Sequence, residues 1–310
     1  MAEVTAQPAS KLERPVERLE SGVPQARALS IAALTTIALA IAIYAPVLWY
    51  MVLHWYEVED YSHGFLIVPL AVYFAWERRD DLRRAEIVPD WWGVVPLALG
   101  SLSLAIGRLG TELMNMRVSF VLTLIGLVLL LLGRRVFRVL AFPLLFLFLM
   151  VPLPQSLVNV IAFPLQLIAA DAAVQVLNLL NIPALREGNI IHLAHAQLFV
   201  AEACSGLRSL MALITLGVVF AYFFRKTMAE RVIIVLSAIP IAIIVNSFRV
   251  ALTGILTHRF GQEAAGGVVH ETQGLFTFSI AFVLLLGEAR LLQWLWPKSW
   301  RSREQGGDSQ

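Results

Sequence analysis

Glu202-Ala203-Cys204-Ser205-Gly206-Leu207-Arg208-Ser209-Leu210 turns a polar segment into an apolar run that does not end until Arg225-Lys226. An apolar run of that length closed by paired basic residues is the mark of a membrane-spanning helix. The same junction holds the single cysteine of the chain. Ser205 is placed to cap the helix that Leu207 begins, so Cys204 falls just outside a helix N-terminus, where free N–H groups and the macrodipole favour a thiolate. Gly206 leaves the backbone open to close approach by a substrate. The competing reading is that of most free cysteines, a small buried hydrophobe. A reactive thiol therefore has to be argued from what the rest of the chain can bring to it.

Working outward, similar runs recur. Hydrophobic residues make up 58% of the 310 and charged ones 15%, and the mean hydropathy is +0.74. Those values lie outside the range of soluble domains and predict an all-α polytopic membrane protein. The run from Ala28 to Val52 is too long for a signal-peptide core, lacks a small-x-small cleavage site at its end, and reads as a retained first span. Further spans are expected over Tyr61 to Trp76, Trp91 to Gly107, Val118 to Gly133, from Arg138 to Pro154, Leu207 to Phe224, Val232 to Thr253, and Gly274 to Trp296. That makes about eight spans in one domain over residues 28–296. Residues 1–27 and 297–310 read as polar cytoplasmic tails, the first of them disordered.

Charge placement orients the array. With the N-terminus inside, 17 of the 24 Lys and Arg residues fall in inner segments and six in outer ones, a positive-inside split that puts both termini inside and Cys204 outside. Residues 155–181 resist the scheme. They are apolar, yet carry Asn159, Pro164, Gln166, Asp171, Gln175, Asn178 and Asn181, and counting them as a crossing would spoil the split. They read as an interfacial or re-entrant helix on the outer face. Residues 186–203 then read as a short extended segment, with a hairpin, ahead of the sixth span. His192 and His195 invite a metal, but on a strand they face opposite sides. A single cysteine excludes a multi-cysteine site, so neither metal nor cofactor is expected.

Three more residues bear on chemistry. Arg249 follows Asn246-Ser247-Phe248 in the seventh span, and a guanidinium inside an apolar helix is costly unless paired or lining a wet cavity. Asn246, Arg249 and Thr253 share one helical face and make a polar stripe pointing inward. The bland alternative is an anchor snorkelling to the interface. His270 stands at the outer start of the last span, and His63, in Ser62-His63-Gly64, at the outer mouth of the second. Thiol, guanidinium and imidazole thus fall at the outer ends of spans six, seven and eight. A thiolate could attack a carbonyl, the guanidinium steady the oxyanion, and the imidazole move the proton. No Gly-x-Ser-x-Gly, His-Glu-x-x-His or Gly-rich phosphate loop offers another chemistry.

Glu202-Ala203-Cys204-Ser205-Gly206 with Leu207-Arg208, then Asn246-Ser247-Phe248-Arg249, then His270 resemble, in that order, the motifs of the exosortases and their archaeosortase relatives. Ser62-His63-Gly64 and the span layout are similar too, so the resemblance covers about Tyr61 to Trp296. It implies a membrane cysteine transpeptidase or protease that cleaves C-terminal sorting signals of the PEP-CTERM type on exported proteins, at the outer (periplasmic) face of the cytoplasmic inner membrane. Cys204 would be the nucleophile, Arg249 the carbonyl-stabilising residue and His270 the acid–base, with Glu202, Ser205, Gly206, Asn246 and His63 in substrate-binding or supporting positions. The implied partners are those exported proteins with their own transmembrane span, the lipid bilayer, and the exopolysaccharide machinery that often accompanies such systems; nucleic acid is not among them. Pro297 to Gln310 reads as a short tail where some members carry a further soluble domain. Two other classes compete: a non-enzymatic component of exopolysaccharide export or assembly, in which Arg249 lines a passage, and an acyltransferase using the thiol as carrier. Transporters of this size commonly show an internal repeat of spans, and none is visible; nor is a donor-binding motif.

Overall fold

The computed structural model describes residues 22–200, 206–224, 227–262 and 267–295. It is largely α-helical: α1 Gly22–Glu57, α2 Gly64–Glu77, α3 Arg79–Arg84, α4 Val94–Leu109, α5 Leu113–Leu127, α6 Gly133–Phe146, α7 Gln155–Leu179, then strands β1 Ala184–Glu187, β2 Ile190–Leu193 and β3 Ala196–Phe199, then α8 Gly206–Phe224, α9 Met228–Phe260 and α10 Gly267–Leu295. The chain divides into two compact units, one of Met1–His54 with Gly64–Pro152 and one of Trp55–His63 with Leu153–Gln310.

In the first unit the apolar runs pack through small residues and rings. Gly93, Gly100 and Gly107 recur every seventh position, which keeps them on one helical face. There α4 meets α5 so closely that a Cβ at Gly100 would lie 2.8 Å from Thr123 Oγ1, and one at Gly107 2.9 Å from the Met116 amide nitrogen. Tyr44 OH lies 3.0 Å from Thr123 Oγ1, and Ser119 Oγ donates to Tyr44 OH at 3.1 Å, a chain of hydroxyls that satisfies polar groups in an apolar interior. Phe74 on α2 meets Phe142 and Phe146 on α6 edge-on, at 5.1 and 5.3 Å between centroids.

The expected break between the fourth and fifth spans falls at Gly133. Its φ is +86°, and a Cβ there would lie 1.7 Å from the Val88 carbonyl oxygen, so only glycine turns the chain at this point. A single π-helical turn, Val128–Leu132, leads into it. The basic residues just beyond are tied to the preceding loop, Arg134 to Asp90 at 3.0 Å and Arg135 to Glu86.

Among the described residues, six helical stretches are long and apolar enough to cross a membrane: Leu34–Glu57, Trp91–Leu109, Leu113–Met150, Gln155–Leu179, Met228–Phe260 and Gly267–Leu292. They map onto the eight expected spans as follows. Leu113–Met150 holds two of the expected spans on either side of Gly133, α2 has 14 residues, fewer than a crossing needs, α8, of 19 residues, is not among the six, and Gln155–Leu179 was not among the expected spans. The described part of α1 opens at Gly22, ahead of Ala28 where the first span was expected.

In the second unit α7 is one unbroken helix of 25 residues, Pro164 included, which by length and composition could cross a membrane. Three of the polar residues that argued against a span, Gln166, Asp171 and Asn178, hold the sheet. Asn189 Nδ2 donates to Gln166 Oε1 at 3.1 Å, Arg186 pairs with Asp171 at 3.6 Å, and Asn178 exchanges hydrogen bonds with both backbone groups of Ala184. The extended segment is a three-stranded antiparallel sheet in the order β1-β2-β3, one strand more than a hairpin. His192 lies on β2 beside Glu187, 3.1 Å away, whereas His195 sits in the turn before β3.

Candidate active site

The site is built on α9. A capping box starts this helix: the Glu230 amide donates to Thr227 Oγ1 at 3.2 Å and the Thr227 amide to Glu230 Oε2 at 3.5 Å. From there it runs unbroken for 33 residues. Its apolar face is covered by α8, α7 and α10. Leu210 and Leu213 of α8 share a core with Ala238, Ala242 and Val245 of α9 and with Ala281 and Leu285 of α10. Ala169, Ala170, Ala173 and Leu177 of α7 form a second core with Val250 and Ala251, joined by Ile191, Leu198 and Val200. A Cβ on Gly254 would lie 2.9 Å from Leu177 Cδ1. At the far end of α9, Gln262 Nε2 donates to the Gln197 carbonyl at 3.0 Å, which puts the sheet beside the C-terminal end of the helix.

The inward polar stripe is present and extends further than its three expected members. Asn246 and Arg249 are 6% exposed, Thr253 fully buried and Thr257 2% exposed. Across from them on α10 lie Gln273, 6% exposed, and Thr277, 2% exposed. Thr253 Oγ1 lies 2.9 Å from the Arg249 carbonyl oxygen and 2.8 Å from Gln273 Oε1. Gly274 is where α10 makes room for the cation, since a Cβ there would lie 3.3 Å from Arg249 Nη2 and 3.6 Å from Cζ. Arg249 is therefore no snorkelling anchor: its guanidinium is packed between helices. Farther down the pair, Ser237 Oγ donates to Glu288 Oε2 at 2.5 Å, so α9 and α10 run antiparallel in one continuous register.

His270 falls inside α10, three and four residues before Gln273 and Gly274. Helical spacing places those positions on one face, and the structure describes no more of His270 than its helical backbone. Cys204, Glu202 and Ser205 lie outside the described residues, and Gly206 is the first residue of α8. The described neighbours on either side of that interval both return to α9. Val200 belongs to the core that contains Val250 and Ala251, its amide bound to the Asn189 carbonyl at 3.0 Å. Leu210 belongs to the core that contains Val245.

His63 closes the short segment that docks beside the start of α8. Arg208 pairs with Glu59 at 2.5 Å and with Asp60 at 3.2 Å, Tyr61 OH donates to the Leu153 carbonyl at 3.2 Å, and the His63 ring lies 6.4 Å from that of Tyr61. Glu59, Asp60, Gln273 and Gly274 had no role in the sequence reading. The available signal for the last two was their spacing from His270, hidden by a glycine that looks like a helix boundary.

Comparison with known proteins now bears on this arrangement. A family model described as transmembrane exosortase (Exosortase_EpsH) matches residues 55–287. The chain belongs to the exosortase family. The matched region opens at Trp55, where the short docking segment joins the second unit, and takes in every motif quoted above. No curated protein and no solved structure matches the chain. Membership makes this an exosortase-type membrane enzyme acting on exported-protein signals.

Proposed function

We propose that this exosortase is a cysteine transpeptidase or protease that cleaves C-terminal sorting signals of the PEP-CTERM type at the outer face of the inner membrane. The observation that carries the reading is the buried Arg249, packed against Gly274 on the helix that bears His270, at the level of α9 to which both flanks of residues 201–205 return. In the mechanism, the Cys204 thiolate adds to the scissile carbonyl and Arg249 donates hydrogen bonds to the oxygen as it becomes anionic. Collapse of the adduct expels the amine, which takes a proton from His270, and leaves an acyl thioester on Cys204. A second nucleophile then attacks the thioester and releases the thiol. Asn246, Glu202, Ser205, Gly206 and His63 support this centre or the bound peptide.

The length of α9 supports a site at a membrane boundary. Thirty-three residues span about 50 Å, against a hydrocarbon core of about 30 Å. Open sheet edges do not occur in lipid, and the sheet sits beside the C-terminal end of α9. The part of the helix beyond Arg249 therefore stands outside the hydrocarbon, and a substrate entering laterally would reach Arg249 where its own span leaves the bilayer.

The test uses the fact that the chain has one cysteine. Coexpression with a tagged exported reporter ending in a PEP-CTERM tail is expected to give an enzyme-linked adduct that hydroxylamine releases and that Cys204→Ala abolishes. A membrane-impermeant thiol reagent added to spheroplasts should block adduct formation, because it reaches Cys204 from outside. Normal shortening of the reporter by Cys204→Ala would end the proposal, and complete insensitivity to the reagent would overturn the outer placement.

A further inference from the structure

Gln273 has the features of a ligand-binding residue. It is 6% exposed, and Thr253 Oγ1 lies 2.8 Å from its Oε1. That contact engages one end of the carboxamide. The other end, Nε2, is buried and has no hydrogen-bond partner among the described residues. If the two ends of the amide are exchanged the conclusion stands: Thr253 Oγ1 then accepts from Nε2 while donating to the Arg249 carbonyl 2.9 Å away, and it is the oxygen that is left over. Leaving such a group desolvated costs about 1–3 kcal/mol, and an apolar side chain of the same length would fill the place without that cost. The Asn246 Oδ1, about three turns from Thr257 along the same face of α9, is likewise buried with no partner among the described residues.

Two further facts say where the surplus group sits. Gln273 immediately precedes Gly274, against which the Arg249 guanidinium packs, and lies one turn after position 270. Gln273 also lines a groove of about 350 Å³ on the α9–α10 pair, with Leu256, Val268, Val269, Thr272 and Phe276. It is the residue shared by the buried polar seam and an apolar groove open to the outside. A peptide with an apolar segment fits the groove, and its backbone carries the hydrogen-bonding groups that the seam can meet.

We propose that Gln273 is a substrate-binding residue, its carboxamide fixed by Thr253 so that the remaining end hydrogen-bonds the backbone of the substrate peptide beside Arg249. This rests on the peptide-cleavage reading above. Thr253 is then a positioning residue that acts through Gln273.

The experiment compares processing and capture of the same tagged reporter. Gln273→Met keeps length and burial but has no hydrogen bonds to offer, and should lower the processing rate about tenfold or more. Placed in Cys204→Ala, it should reduce retention of uncleaved reporter on the purified protein by a similar factor. Thr253→Val should lose less, and the double variant Thr253→Val/Gln273→Met should be no worse than Gln273→Met alone. Gln273→Met that processes and retains reporter like the wild type, while Cys204→Ala is inactive, would overturn the inference and leave the function standing. A Gln273→Met that melts lower but cleaves at the wild-type rate per folded molecule would make the residue interhelical packing only and overturn it equally. Processing by Cys204→Ala would instead bring down the functional reading, and this inference with it.

Discussion

The pair α4–α5 and the pair α9–α10 solve the same problem, two apolar helices held together in a membrane, by opposite means. In the first, glycines at every seventh position let the backbones approach until side-chain and main-chain atoms leave no room for a Cβ, and the hydroxyls of Ser119, Thr123 and Tyr44 close on one another. Small residues and satisfied hydroxyls are what packing alone requires. The second pair buries Asn246, Arg249, Thr253, Thr257, Gln273 and Thr277, and leaves Asn246 Oδ1, Thr257 Oγ1 and Gln273 Nε2 with no partner among the described residues. Packing does not ask for that, and lipid penalises it. The buried Arg117 of α5 shows that buried polarity alone does not mark a site; what distinguishes the α9–α10 seam is that several amide and hydroxyl groups with hydrogen-bonding capacity to spare gather along it.

The comparison breaks first at its largest expected effect. Arg249→Lys keeps the charge but loses the planar fork of donors. If the guanidinium holds an oxyanion, reporter processing should fall about 100-fold or more, nearly as far as for Arg249→Ala. His270→Gln, which cannot carry a proton, should fall by a comparable factor. Lysine restoring wild-type processing would reduce Arg249 to a helix anchor and make the two helix pairs alike after all.

The scaffold side is sharpened by Gly100→Leu. A side chain placed where a Cβ would meet Thr123 Oγ1 at 2.8 Å and the Ser119 carbonyl oxygen at 3.1 Å overpacks the crossing, at a cost of about 1–3 kcal/mol. The purified protein should melt several degrees lower, yet each folded molecule should process the reporter at the wild-type rate. A loss of turnover without a loss of stability would mean that this pair also carries function.

How much of this was legible depends on the kind of signal. The stripe of Asn246, Arg249 and Thr253 came from helical period alone, and α9 turns it inward as that period requires. The break at Gly133 came from the basic residues that follow it. By contrast, α7 looked unlike a span because of Gln166, Asp171 and Asn178, and only their contacts with the sheet explain them. Partners distant in sequence leave no local mark. Gln273 and Gly274 were hidden by a glycine that reads as a boundary, whereas α10 begins at Gly267 and makes both of them interior positions opposite Arg249. Cys204, the clearest residue in the sequence, lies outside the described residues.

The smallest effect is expected at Arg208, and it tests whether a residue within a family-like motif needs a catalytic reason to be there. Its partners Glu59 and Asp60 bring the segment ending at His63 to the start of α8. The side chains are open to solvent, Arg208 at 43% exposure and Glu59 at 73%, and ion pairs this exposed contribute about 0–1 kcal/mol. Arg208→Gln should therefore change reporter processing by less than about threefold, and raising the salt concentration should weaken the wild-type pairing in the same small way. If Arg208→Gln loses tenfold or more, and Arg208→Lys recovers most of it, the short segment is a positioning strut for His63, and the site extends from the α9–α10 seam to the mouth of α8.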